Sequence, residues 1–150
     1  MESPEQFLHR SFRLLDSGDY RGWLGLCTPD ISYVVTTRLA SERKYLAALV
    51  DDDFVGLDRR LQLMERLWHA EEPPTQTLHM LTNVETAAAG EGVEVHACFL
   101  VVASRRERQI ALYGRYHDVL RLVNGDWQIA ARTATLEKNL LDTGNITFIV

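Results

Sequence analysis

Only two cysteines occur, Cys27 and Cys98, far apart and in apolar company. A disulfide framework is therefore not expected, and both read as small buried hydrophobes in a reducing cytoplasm. No apolar run approaches the roughly 20 residues that a membrane span needs. Met1-Glu2-Ser3-Pro4-Glu5 has no basic region ahead of an apolar stretch, so no signal peptide is expected. Excess positive charge is missing too. A net charge of -5 and a pI near 5.5 leave no electrostatic footprint for nucleic acid and repel anionic membranes.

Catalytic and metal-binding signatures are equally scarce. The five histidines are His9, His69, His79, His96 and His117, and none forms an H-x-x-x-H pair. His96 and Cys98 lie two apart on one strand face, a weak ligand pair, so no metal is expected. There is no Cys-x-His paired with a Cys-x-x-His, which excludes a Rieske cluster built from this chain. No G-x-S-x-G marks a nucleophilic serine. Repeats and low-complexity segments are absent.

What is present is an ordinary globular composition, 46% hydrophobic and 25% charged, over 150 residues. That length suits one domain, residues 1–150, able to bury roughly 70% of its unfolded surface. Ser3-Pro4-Glu5-Gln6 is a helix start with a capping box, and Phe7, Leu8, Phe12, Leu14 and Leu15 follow at helical spacing. Asp16-Ser17-Gly18 ends that helix. A short helix with Tyr20, Trp23, Leu24 and Leu26 is broken by Thr28-Pro29-Asp30. Residues 31–37 are β-branched and aromatic, hence a strand. Residues 41–50 suggest a loop with some helix. Asp51-Asp52-Asp53 reads as the capped start of a helix, not as a cation site. Phe54, Leu57, Leu61, Met64 and Trp68 form its apolar stripe, and Pro73-Pro74 stops it.

After Pro74 the pattern becomes that of strands: residues 76–86, 93–103, 109–123 and 126–137, with a last strand over 146–150. Their connections are short, and Asn124-Gly125 is a favoured hairpin turn. Helices first and an antiparallel meander after them predict an α+β fold, with helices on one face of a strongly curved sheet. Such a cone encloses a cavity. Val93, Val95, Ala97, Phe99 and Val101 face one way. The opposite row, Glu94, His96, Cys98, Leu100 and Val102, begins polar and turns apolar, as expected of a sheet that also meets another subunit.

Two features point to assembly. Ile146-Thr147-Phe148-Ile149-Val150 has almost no polar relief and needs cover. Gly114-Arg115-Tyr116-His117-Asp118 interrupts an apolar strand with residues favoured at interfaces. Arg115, Tyr116, His117, Arg132, Phe148 and Val150 are the candidate interface residues. Arg105-Arg106-Glu107-Arg108 reads as a solvated hairpin tip.

Several segments together resemble one family, the β (small) subunit of Rieske-type aromatic-ring-hydroxylating dioxygenases, within the nuclear-transport-factor-2-like (NTF2-like, SnoaL-like) superfamily. They are residues 7–23 (FLHRSFRLLDSGDYRGW), 51–56 (DDDFVG), 66–84 (RLWHAEEPPTQTLHMLTNV), 114–132 (GRYHDVLRLVNGDWQIAAR) and 145–150 (NITFIV). The W-x-A-E-x-P-P run at Trp68 followed by H-x-x-T-N-V at His79 is the most specific part. The resemblance implies an NTF2-like cone and a non-catalytic chain. It places the Rieske 2Fe-2S cluster and the mononuclear iron in a partner α subunit. It further implies an assembly of three α and three β chains, with β–β self-association as a trimer. The reaction implied for the whole complex adds dioxygen to an aromatic ring to give a cis-dihydrodiol. A second reading is a stand-alone small enzyme of the same fold, a cyclase, dehydratase or isomerase. It would use an acid–base group in the cone, from His79, His96, Tyr33 and Asp118. A third is a ligand-binding or adaptor module. The fold by itself does not separate them.

Overall fold

Ser3 starts the first helix through a reciprocal pair of bonds. Its hydroxyl accepts from the Gln6 backbone N–H at 3.2 Å, and the Gln6 side-chain carbonyl accepts from the Ser3 N–H at 2.9 Å. The computed structural model describes residues 1–43, 47–138 and 146–150. Helix α1 spans Pro4–Asp16 and buries Phe7, Leu8, Phe12 and Leu15 on one face. It ends where Gly18 takes a φ of +78°, and a Cβ there would also lie 2.9 Å from the Trp68 ring. Backbone and packing both demand glycine at that point.

Helix α2, Tyr20–Leu24, is capped by Asp19, whose carboxylate accepts from the Gly22 N–H at 2.8 Å. Strand β1 then runs Cys27–Thr37. It therefore begins before Thr28-Pro29-Asp30, the segment expected to break the preceding helix, which ends already at Leu24. The pairing of β1 with its neighbour shifts between Cys27 and Ser32. Its other neighbour pairs only with residues 33–35. Pro29 thus sits where it costs the sheet no ladder bond.

Helix α3 (Arg38–Glu42), strand β2 (Val50–Asp52) and helix α4 (Phe54–Ala70) follow. The Asp triplet divides its labour. Asp53 caps α4 by accepting from the Gly56 N–H at 2.8 Å, and Asp52 accepts from Arg60 Nε at 2.7 Å. Leu57, Leu61 and Met64 are the buried face of α4, with Phe54 and Trp68 packed at its ends.

Strands β3 (Gln76–Ala89), β4 (Gly92–Arg105), β5 (Arg108–Val123) and β6 (Asp126–Leu136) complete one six-stranded sheet in the order β2-β1-β6-β5-β4-β3. Among the described strands, only β1 and β6 pair in parallel. Asn124 and Gly125 both take positive φ, +54° and +90°, as a primed two-residue hairpin requires. A bulge between Thr82 and Glu85, with Asn83 at φ +53°, interrupts β3 and adds curvature. Helix α1 packs on β3 and α4 on β1. The result is the expected α+β cone: helices over the inner face of a curved, mostly antiparallel sheet.

One expected element is absent. Residues 146–150 form no strand. They enter the cone, and Phe148, Ile149 and Val150 are buried in the core. Their backbone is held by side chains instead of by a sheet ladder.

Candidate functional site

A buried ion pair anchors the polar interior of the cone. Asp118 on β5 faces Arg132 on β6 directly. Arg132 Nε donates to Asp118 Oδ1 at 2.9 Å and Nη2 donates to Oδ2 at 2.7 Å, with both side chains fully buried. The guanidinium lies 4.6 Å from the centre of the Tyr116 ring and 5.1 Å from that of Phe12, two cation–π contacts in a desolvated site. Phe99 stacks on Tyr116 at 4.2 Å, and His79 stacks on Phe12 at 5.1 Å. Arg132 Nη1 and Tyr116 Oη are buried without a hydrogen-bond partner among the described residues. The charge of Arg132 is thus matched by one carboxylate and by aromatic faces.

His79, whose side chain is only 2% exposed, bridges α1 and the residue 146–150 segment. Its Nδ1 meets Asp16 Oδ1 at 2.5 Å, and its Nε2 meets the Ile149 carbonyl at 3.0 Å. Each ring nitrogen thus faces an oxygen of a different element, one on α1 and one in the residue 146–150 segment. Asp16 also accepts from the His79 N–H at 3.1 Å and from the Thr77 hydroxyl at 3.0 Å. Burial pushes the Asp16 carboxyl up, but the His79 ring and these further donors outweigh it and hold it below the ordinary value. Tyr33 completes the arrangement. Its hydroxyl accepts from the Val150 N–H at 3.0 Å and donates to the Val150 carbonyl at 3.3 Å. Burial pushes the Tyr33 phenol up to about 12 and the Tyr116 phenol far above its ordinary range.

The four residues considered for acid–base chemistry are therefore divided. Tyr33, His79 and Asp118 lie inside, each engaged by a partner within the chain. His96 lies on the outer face of β4, stacked on His117.

The candidate interface set also divides. On β5, Arg115 and His117 point outward, while Tyr116 is buried. Arg132, Phe148 and Val150 are buried as well. Tyr116, Arg132, Phe148 and Val150 thus do not offer side chains to a partner. They form this chain's own core, because alternate residues of a strand face opposite ways and the residue 146–150 segment folds inward.

Spacing along the chain does not bring together three exposed apolar residues, Leu78 (56%), Met80 (39%) and Tyr113 (47%). Pairing of Leu78 with Val102, Met80 with Leu100 and Leu100 with Tyr113 gathers them on the outer face of β3–β5. The apolar end of the β4 outer row was the available signal. No helix among the described residues is long and apolar enough to cross a membrane.

A family model described as "Ring hydroxylating beta subunit" matches residues 10–143. The chain is 30% identical over 142 residues to the small oxygenase component of the p-cumate 2,3-dioxygenase system of Pseudomonas putida, covering 91% of this chain and 79% of that one. It is 31% identical over 159 residues to the 3-phenylpropionate/cinnamic acid dioxygenase subunit beta of Photorhabdus laumondii, covering 96% and 88%. Its fold matches the crystal structure of the benzoate 1,2-dioxygenase β subunit of Burkholderia mallei with a TM-score of 0.79. That match has 22% identity over 97% of this chain and 99% of that one.

Proposed function

The chain belongs to the family of ring-hydroxylating dioxygenase β subunits, and from that premise we propose that it is a non-catalytic single-domain subunit supporting assembly of the α subunits. The Rieske 2Fe-2S cluster and the mononuclear iron belong to those partners on this reading. The complex they form adds dioxygen to an aromatic ring to give a cis-dihydrodiol, in the cytoplasm. Three α and three β chains make up the assembly, with β–β contacts among them.

The observation that carries the reading is what fills the cone. An enzyme of this architecture needs its interior for substrate. Here Phe148, Ile149 and Val150 occupy it, and Tyr33 and His79 tie down their backbone. Polar groups that otherwise suit proton transfer serve to hold the chain together.

The outward features suit a partner. Leu78, Met80 and Tyr113 form an apolar surface on the sheet, and Arg115 and His117 lie outward on the same sheet face. An apolar centre with Tyr and Arg nearby is the usual anatomy of a subunit contact.

Affinity capture of the tagged full chain from its own cells tests the proposal. Recovery of a larger iron–sulfur protein in equal amount supports it. Elution of the chain alone, with turnover of a small substrate abolished in His79→Ala, overturns it.

A further inference from the structure

The outer face of β4 and β5 carries a second cluster, remote in sequence and adjacent in space. His96 and His117 are directly opposed across the two strands. Their rings stack at 4.4 Å with planes 5° apart. Glu94 lies two residues from His96 on the same strand face. Its Oε2 is 3.5 Å from His117 Nε2 and 4.0 Å from His96 Nε2. One ligand atom from each residue lies within 4.8 Å of the others.

We infer that Glu94, His96 and His117 form a binding site for a late first-row divalent cation such as zinc. Two imidazoles and a carboxylate are a donor set suited to such ions. A tetrahedral ion with bonds of about 2.0–2.1 Å holds its ligand atoms roughly 3.4 Å apart. The Glu94–His117 spacing already matches that, and the Glu94–His96 spacing needs a small rotation. The parallel rings point their lone pairs alongside each other, so the two imidazoles tilt out of their stack to converge on the ion; all three side chains are about half exposed, which leaves them room to do so. The sheet itself supplies preorganisation, because cross-strand register fixes the two imidazoles opposite each other. Parallel stacking of two imidazoles over one carboxylate has no role in the core, since the cluster lies outside it. Three protein ligands leave a fourth position, which water fills in the isolated chain.

The inference does not depend on the subunit role, and its test uses the untagged full chain. After dialysis against a chelator, the chain is titrated with zinc chloride by calorimetry. The expected result is one ion per chain. His96→Ala and His117→Ala should each weaken binding at least about tenfold, since even loss of an outer partner of a metal site costs that much. The double variant should lose the site while keeping the parent's thermal unfolding midpoint, because both residues are exposed. Absence of any zinc uptake by the parent chain overturns the inference. Equal uptake by the parent and the double variant overturns it as well, since other groups would then hold the ion.

Discussion

Arg132 and Asp118 face each other across β6 and β5 as a two-bonded ion pair with no exposure to solvent. Asp118 holds the Arg132 guanidinium above its ordinary value against the opposing effect of burial. Removing one partner strands a charge in the core, which costs about 3–5 kcal/mol. Arg132→Met and Asp118→Asn should each lower the urea midpoint accordingly. The double change Arg132→Met with Asp118→Leu should recover much of that loss, because apolar groups of similar volume need no compensation. Equilibrium unfolding of the three variants checks this.

The His79–Asp16 pair makes stability depend on acid. The folded-state carboxyl of Asp16 lies below its ordinary value, so folding favours the ionised form. Its contribution is fully present above the unfolded value of about 3.9 and is lost as pH falls through the lower folded value. Asp16→Asn should therefore destabilise the chain near neutrality, and the gap from the parent should close below about pH 4. Thermal midpoints measured from pH 7 to pH 2.5 for both proteins test the sign.

Tyr33 holds Val150 through both a donated and an accepted bond. Tyr33→Phe removes them and leaves a buried backbone N–H unpaired, a loss of about 1–3 kcal/mol. Amide hydrogen exchange should localise the damage: Val150 exchanges faster, while the α4 amides keep their relative order. An unchanged Val150 rate would show that burial alone protects it.

The two cysteines should differ in reactivity. Burial pushes the Cys27 thiol up to about 12, so little thiolate forms near neutral pH. Cys98 is only half-buried. One equivalent of an aromatic disulfide reagent should react with the folded chain, and Cys98→Ser should abolish that reaction. In denaturant both thiols of the parent react.

Much of this architecture is legible locally. The Ser3–Gln6 capping box, the α4 stripe and the Asn124-Gly125 turn each lie within a few residues, and the chain forms them where the spacing predicts. Residues 146–150 mislead for the opposite reason. Their composition favours a strand, but their place is set by Tyr33 and His79, 117 and 70 residues away from the groups they bind. The run from Arg115 to Asp118 reads as one block in sequence, whereas the strand pleat sends Arg115 and His117 outward and Tyr116 and Asp118 inward. The His96–His117 pairing required knowing the hairpin centre. The two residues are equidistant from the Arg106–Glu107 turn, and a slip of one residue would have put them on opposite faces.

The outer face of β3–β5 offers the sharpest test of the subunit role. Leu78 and Tyr113 are exposed and support no core packing, so replacing them alters folding stability by no more than about 0.5 kcal/mol. In an interface the same residues behave differently. A central anchor such as a tyrosine contributes about 2 kcal/mol or more, roughly thirtyfold in affinity, and an aspartate placed in an apolar contact leaves a charge desolvated without a partner. Leu78→Asp and Tyr113→Asp should therefore leave the thermal midpoint of the isolated chain nearly unchanged while sharply reducing co-purification with the larger subunit. Leu63→Asp, at a comparably exposed apolar residue (57%) on α4 and away from the sheet, serves as the control and should retain the partner. Full retention by the Leu78 and Tyr113 variants would move the contact to another surface of the chain and leave the apolar face without a role in assembly.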